Sequence, residues 1–255
     1  MSVLLHILKR RLETRDTKRP LAELRELALE QEAPRDFRAA LRLDHAVAVI
    51  AEIKFRSPSE GELRSGRDVG EIAAAYTRAG ARALSVLTEV NAFDGKLGYV
   101  RLAKTASDLP VLRKDFLWDE YDVAATRAAG ADALLLIAKM LSREQLSELC
   151  ACADALGLGV LLELHDEDDL QKTEGLRGVA WGVNHRDLMT LEIDLQRSRD
   201  LFTLIPDGEI KVAESGLRTL RDLEEMRERG ANAVLIGTAF MKAPDPGRAL
   251  TEFFQ

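Results

Sequence analysis

Three phrases decide the fold: AGARALSVLTE (79–89), AGADALLLIAK (129–139) and RGANAVLIGTA (229–239). Each carries, as its second residue, a glycine that follows a helical pattern, the usual position of a helix C-cap. Each then enters a short, nearly continuous apolar run rich in Val, Ile or Leu. Such a run is the signature of a parallel strand buried on both faces. The same Gly-capped helix-to-strand turn is therefore used three times. Working outward, strand-like runs occupy 47–55, 83–89, 110–116, 133–139, 159–165, 180–185, 210–216 and 233–238, starting 21 to 36 residues apart. The intervening stretches at 68–78, 120–129 and 142–156 carry apolar residues at helical spacing, and Ser142 followed by Gln145 forms a capping-box pattern. Gly80, Gly130, Gly157 and Gly230 stand where these helices should end.

Eight strand–helix units predict a closed (β/α)₈ barrel. A doubly wound sheet usually has fewer strands and a glycine-rich dinucleotide turn. No G-x-G-x-x-G follows the first run, and no G-x-x-x-x-G-K-[ST] occurs. Residues 1–46 precede the first strand and read as helices over 3–15 and 20–31, with Pro20 suited to a helix start. They are expected to cover one end of the barrel. A single barrel domain over 1–255, with 1–46 as a helical extension, is the expected organisation.

The chain has 255 residues, 46% hydrophobic and 31% charged, which is a globular composition. Its net charge of -7 and lack of a basic run argue against a nucleic-acid partner. No run approaches a membrane span, and the N-terminus lacks the charge order of a secretory signal, so a cytoplasmic protein without a membrane partner is expected. Cys150 and Cys152 are too few and too close for a disulfide framework. No His, Cys or carboxylate cluster has metal-ligand spacing, so no metal is expected.

Alternate residues of a barrel strand point inward, where an unpaired charge is costly. Several runs nevertheless place charged or polar groups on one face, near their C-terminal ends: Glu52 and Lys54, Lys114, Glu163, Asn184 with Arg186, and Glu214. Active sites of this fold lie at that end. Arg113 and Asp115 fall on the opposite face and read as partners of the surrounding helices. The last two runs end in Ser215-Gly216 and Gly237-Thr238, and the stretch 238–242 reads as a short helix. Loops after strands seven and eight often bind phosphate through backbone N–H groups. Lysines, carboxylates and a phosphate cradle point to acid–base chemistry on a phosphorylated small molecule. His165 and His185 also end strands and read as hydrogen-bonded supports; His6 and His45 have no partner readable from the sequence.

The residues AEIKFRSPSEG (51–61), LSVLTEVNAFDG (84–95), PVLRKDF (110–116), GADALLLIAKML (130–141), LLELHDEDDL (161–170), WGVNHRDLMTLEIDL (181–195), VAESGL (212–217) and VLIGTAFMKAPDPG (234–247) resemble the indole-3-glycerol phosphate synthase family of tryptophan biosynthesis. The resemblance implies a (β/α)₈ barrel with extra N-terminal helices. It implies conversion of 1-(2-carboxyphenylamino)-1-deoxyribulose 5-phosphate to indole-3-glycerol phosphate, carbon dioxide and water, without cofactor or metal. By the same resemblance, Lys114 would be the general acid and Glu163 the general base. Lys54 would pair with the substrate carboxylate or share the acid role with Lys114, and Glu52 and Asn184 would orient these groups. Glu214 and Arg186 would line the site. Ser57, Ser215, Gly216, Gly237 and Thr238 would hold the phosphate or its approach. Phe93, Phe116, Leu136 and Leu188 would pack on the anthranilate ring. A monomer or weak homodimer is expected. The chain departs from the family pattern at Thr238, where Ser is common, at His185, where Asn or Ser is frequent, and at Glu60, where Lys is often found. Two other readings stand beside this one: a Schiff-base aldolase using Lys114 or Lys139, and a catalytically silent barrel kept for binding a partner.

Overall fold

The computed structural model describes residues 3–44, 46–66 and 68–254, so His45 lies outside the described residues. Eight parallel strands close into a barrel: β1 (Ala48–Ile53), β2 (Ala83–Leu87), β3 (Val111–Lys114), β4 (Ala133–Ile137), β5 (Gly159–Leu164), β6 (Ala180–Asn184), β7 (Ile210–Glu214) and β8 (Ala233–Ile236). Each strand pairs with its sequence neighbours, and β1 closes the ring on β8 with Ala48 opposite Ala233. All eight sequence runs contain their strand. Each run extends one or two residues past the strand's C-terminal end, where the chain leaves the ladder and turns into the mouth. An antiparallel pair, Arg56–Ser57 with Gly61–Glu62, follows β1 and has no counterpart in the sequence reading.

Strand alternation divides the apolar residues into two layers. Ile50, Leu112, Leu135, Leu161, Val212 and Leu235 fill the barrel. Val49, Leu84, Leu134, Leu136, Leu162, Val183 and Val234 face the helices outside it. The helices are set by local chemistry. In α7 (Arg143–Ala155), Ser142 Oγ accepts from the Gln145 amide at 3.2 Å, and the Gln145 side chain accepts from the Ser142 amide at 3.1 Å. Gly80, Gly130 and Gly230 take φ of 92°, 89° and 90°, so the repeated turn needs the left-handed region that glycine enters without strain. Among the described residues no helix is long and apolar enough to cross a membrane.

The N-terminal segment corrects one expectation: it reaches both ends of the barrel rather than one. Helix α1 (Val3–Thr14) lies over the C-terminal mouth, where Leu4 and Ile7 line the cavity. Arg11 of α1 pairs with Asp122 at 2.6 Å and with Asp115 at 3.4 Å. Asp115 also accepts from Arg113 at 2.8 Å and from Thr88 at 2.7 Å, which ties α1 to the end of β3. Helix α2 (Leu21–Glu30) then packs on α6 (Glu120–Ala128). Helix α3 (Phe37–Ala40) closes the opposite end, with Phe37 and Leu41 buried among Ala48, Ala133 and Ala180 at the strand starts. A Cβ on Gly159 would lie 3.0 Å from Phe37 Cβ, so the glycine leaves room for this ring. Deleting a buried phenyl costs its transfer energy plus that of the cavity left behind. Phe37→Ala should therefore lower unfolding stability by about 3–5 kcal/mol, measured by urea denaturation. A loss within experimental error would remove Phe37 from the core.

Candidate active site

The inward faces of five strands deliver polar groups to the C-terminal mouth. Glu52, Lys114, Glu163, Asn184 and Glu214 each stand two residues after an inward small or apolar residue: Ile50, Leu112, Leu161, Gly182 and Val212. Lys114 Nζ donates to Glu163 Oε2 at 3.1 Å and to Glu214 Oε2 at 3.2 Å. Lys54, just past β1, lies 2.6 Å from Glu52 Oε2. The Lys114 side chain keeps 15% of its surface exposed, against 2% for Glu163 and 1% for Glu214. The ammonium thus faces the cavity, with the carboxyls behind it.

Two glycines make this arrangement possible. A Cβ on Gly182 would lie 2.2 Å from Glu214 Oε1, and one on Gly237 would lie 2.1 Å from Glu52 Oε2. Any side chain at either position would push a carboxylate out of its seat. The carboxyls Glu52, Glu163 and Glu214 share the floor with the ammonium groups Lys54 and Lys114. Burial opposes the charged form of Lys114, but Glu163, Glu214 and Glu52 outweigh it and raise the pKa above the usual lysine value. Burial likewise opposes an ionised Glu163, yet Lys114, His165 and Asn184 bring its pKa below the ordinary carboxylate range. At Glu214 burial prevails over Lys114, and with Glu163 and Glu52 as like charges its carboxyl is pushed up to about 7. Similar carboxyls thus sit in opposite protonation regimes, a common device at acid–base sites.

Above this floor is a cavity of about 540 Å³. One wall is apolar. It comes from α1, the loops after β2 and β3, and the end of β4: Leu4, Ile7, Phe93, Phe116 and Ile137. The Phe93 and Phe116 ring centroids are 6.2 Å apart. The Glu89 carboxylate accepts from the amides of Asn91 and Ala92 and so shapes the loop carrying Phe93. The other wall comes from the loops after β7, β8 and β1: Ser215, Gly216, Gly237, Thr238 and Ser57, with Arg218 and Lys242. Ser215 and Gly216 both take positive φ, 69° and 80°. His185 supports this turn. Its Nδ1 donates to the Ser215 carbonyl at 2.8 Å, its Nε2 accepts from Ser198, and burial lowers its pKa, which keeps it neutral. The stretch read as a short helix is α11 (Thr238–Met241).

Of the residues singled out from the sequence, Glu52, Lys54, Ser57, Phe93, Lys114, Phe116, Glu163, Asn184, Arg186, Leu188, Glu214, Ser215, Gly216, Gly237 and Thr238 all line the cavity. Leu136 is the correction. It packs outside the barrel against the helix layer, while its neighbours Leu135 and Ile137 face inward. Strand period 2 decides this: Leu136 is one residue out of step with the inward face. Lys139 lies on the rim, paired with Asp166, and does not line the cavity. Sequence reading missed Leu4, Ile7, Arg218 and Lys242. Leu4 and Ile7 do form an apolar stripe at helical spacing, but a stripe shows that a face is buried and not what it is buried against. Glu60, noted only as a departure, pairs with Lys242 beside the polar wall. Among the described residues no group of three or more His, Cys, Asp or Glu is placed to hold a metal ion.

The model of one family, indole-3-glycerol phosphate synthase, matches residues 2–253. The chain belongs to the indole-3-glycerol phosphate synthase family. An indole-3-glycerol phosphate synthase of Albidiferax ferrireducens is 44% identical over 240 residues, covering 93% of this chain and 91% of that protein. One of Chromobacterium violaceum is 44% identical over 239 residues, covering 92% of this chain and 90% of that protein. Family membership makes the chain a carboxy-lyase of tryptophan biosynthesis. Among solved structures, thiamine phosphate pyrophosphorylase from Pyrococcus furiosus superposes with a TM-score of 0.60 at 15% identity, covering 86% of this chain and 96% of that one. A 3-hexulose-6-phosphate synthase does so with a TM-score of 0.59 at 17% identity, covering 82% and 98%. These two likenesses show the barrel fold alone.

The raised Glu214 carboxyl has a consequence for stability. Between its ordinary 4.5 and about 7, the folded chain holds a proton that the unfolded chain has released. Folding stability contributed by this group is complete below 4.5 and is lost as pH rises through about 7. Glu214→Gln does not titrate. The stability of the unsubstituted protein relative to this variant should therefore fall from pH 4.5 to 7 and level off above. Denaturant melts across that range check it, and a pH-independent difference would contradict the assignment.

Proposed function

We propose that this chain closes the indole ring of 1-(2-carboxyphenylamino)-1-deoxyribulose 5-phosphate and releases carbon dioxide and water, giving indole-3-glycerol phosphate. One observation carries the reading: Lys114, bridged to Glu163 and Glu214, stands between an apolar aromatic wall and a wall of hydroxyls, glycine turns and cations. A substrate with an aromatic carboxylate at one end and a phosphate at the other fits that polarity.

The ring packs against Phe93, Phe116 and Leu188, with Ile137 and Leu135 in place of Leu136. The phosphate lies at the turns of Ser215-Gly216 and Gly237-Thr238, with Ser57 at its approach, where Arg218 and Lys242 supply local positive charge in a protein of net charge -7. Lys54 leaves Glu52 for the substrate carboxylate. Lys114, held protonated by its three carboxylate neighbours, gives its proton to the substrate carbonyl oxygen as the new carbon–carbon bond forms. Carbon dioxide then departs, and the apolar wall favours losing the carboxylate's charge. In the dehydration Glu163, kept ionised, accepts the proton from the carbon next to the ring nitrogen, and Lys54 protonates the leaving hydroxyl so that it departs as water. Asn184 and Glu52 orient these groups, and Arg186 holds the loop after β6 through the Leu191 carbonyl at 3.0 Å. A Schiff base is less well served here, because it needs a neutral amine and Lys114 is stabilised as the cation.

Lys114→Ala and Glu163→Gln should each leave the fold intact and lower turnover by at least ~10²-fold, the scale of general acid–base catalysis. Indole fluorescence after addition of the carboxyphenylamino substrate reads this directly. Near-normal turnover in both variants would refute the two roles. Inorganic phosphate should raise the apparent KM and leave kcat unchanged. A phosphate-independent KM would place the substrate phosphate elsewhere.

A further inference from the structure

Glu163 uses only one of its oxygens on Lys114. Oε2 accepts from Nζ, while Oε1 is buried and makes no hydrogen bond. A buried carboxylate oxygen left this way is costly and calls for a nearby donor. The imidazole of His165 stands closest to this role: its Nε2 lies 3.3 Å from Glu163 Oε1, off the hydrogen-bond direction. On its other side, His165 Nδ1 lies 3.5 Å from Asp169 Oδ2. The His165 side chain is 5% exposed and that of Asp169 is fully buried.

Local structure fixes this sandwich. His165 follows β5 directly, and its backbone amide donates to Asp169 Oδ2 at 3.1 Å. Asp169 belongs to α8 (Glu167–Lys172), which is capped by Asp166 accepting from the Asp169 amide at 2.9 Å. Lys172 Nζ lies 3.4 Å from Asp169 Oδ1, and Lys139 pairs with Asp166. The imidazole is thus faced by Glu163 from β5, by Asp169 from α8, and by Asp166 at the cap of α8. Lys114, Glu214 and Asn184 surround Glu163 from the cavity side.

We propose that His165 is a positioning residue for Glu163, holding the carboxylate between the imidazole and Lys114 with Asp169 as its own anchor. The proposal rests on the reading of Glu163 as the general base and adds what keeps that base in place and ionised. An N–H aimed at Oε1 stabilises the carboxylate form, as does any positive charge on the ring. Asp169 stands beside the opposite nitrogen and, through the His165 backbone amide, fixes where the ring leaves the strand. His165 does not line the cavity, so its effect runs through Glu163.

The test compares His165→Ala and His165→Gln with Glu163→Gln and with the His165→Ala/Glu163→Gln pair, all checked for an unchanged circular dichroism spectrum. His165→Ala should lower kcat about tenfold or more, the scale of a hydrogen bond to a charged group, with KM nearly unchanged. The acid limb of its kcat–pH profile should move upward by about one pH unit. His165→Gln keeps a donor at the Nε2 position and should recover most of kcat; it carries the test if the alanine variant does not fold. In the Glu163→Gln background, His165→Ala should add no further loss, because the group it serves is gone. A low kcat in Glu163→Gln, with unchanged kcat and acid limb in both His165 variants, would overturn the positioning role alone. Full activity in Glu163→Gln would overturn the general-base reading and this proposal with it. A loss in His165→Ala that is equally large with and without Glu163 would assign His165 to packing.

Discussion

The contact on which the site depends is the bridge from Lys114 to Glu163 and Glu214. It joins β3 to β5 and β7, strands that are not neighbours in the barrel. Only a closed ring brings their inward faces within 3.2 Å of one ammonium group. The surrounding design accommodates that bridge. Gly182 and Gly237 clear space for carboxylates, small and aliphatic residues fill the barrel below, and α1 lies over part of the mouth above. Isolated carboxylates at such depth would be untenable. Mutual pairing, and a proton retained on Glu214 below about pH 7, resolve the excess of negative charge.

A second buried network, on the outward face of the same strand, has another purpose. Arg113 reaches Thr88, Thr126 and Asp115, and Asp115 and Asp122 receive Arg11 from α1. Strand period 2 lets consecutive residues of β3 belong to different systems. Lys114 faces the cavity, while Arg113 and Asp115 fasten the helix that covers it. The covering helix is therefore held through the residues flanking the central lysine.

Much of this was legible from the sequence because buried parallel strands write themselves as apolar runs. Charges within such runs, at Glu52, Lys114, Glu163 and Glu214, are conspicuous against that background. Strand ends were less legible, since the apolar character of Phe55 or Phe116 continues after the ladder stops. The resemblance puts Leu136 at the ring against its own strand period, and the structure follows the period. The places of Leu4, Ile7 and Phe37 were not legible at all. An amphipathic helix advertises a buried face, but its seat is set by residues about a hundred positions away, which no local pattern encodes.

The plugging of both barrel ends by the first forty or so residues sets an order on assembly during synthesis. Phe37 needs Ala133 and Gly159, Arg11 needs Asp115 and Asp122, and β1 finds its last neighbour only when Ala233 has been made. A segment made before the strands it covers is thus seated late. Its oily faces stay unshielded while most of the polypeptide is still being translated, the interval in which a nascent chain is most open to aggregation and to chaperone capture.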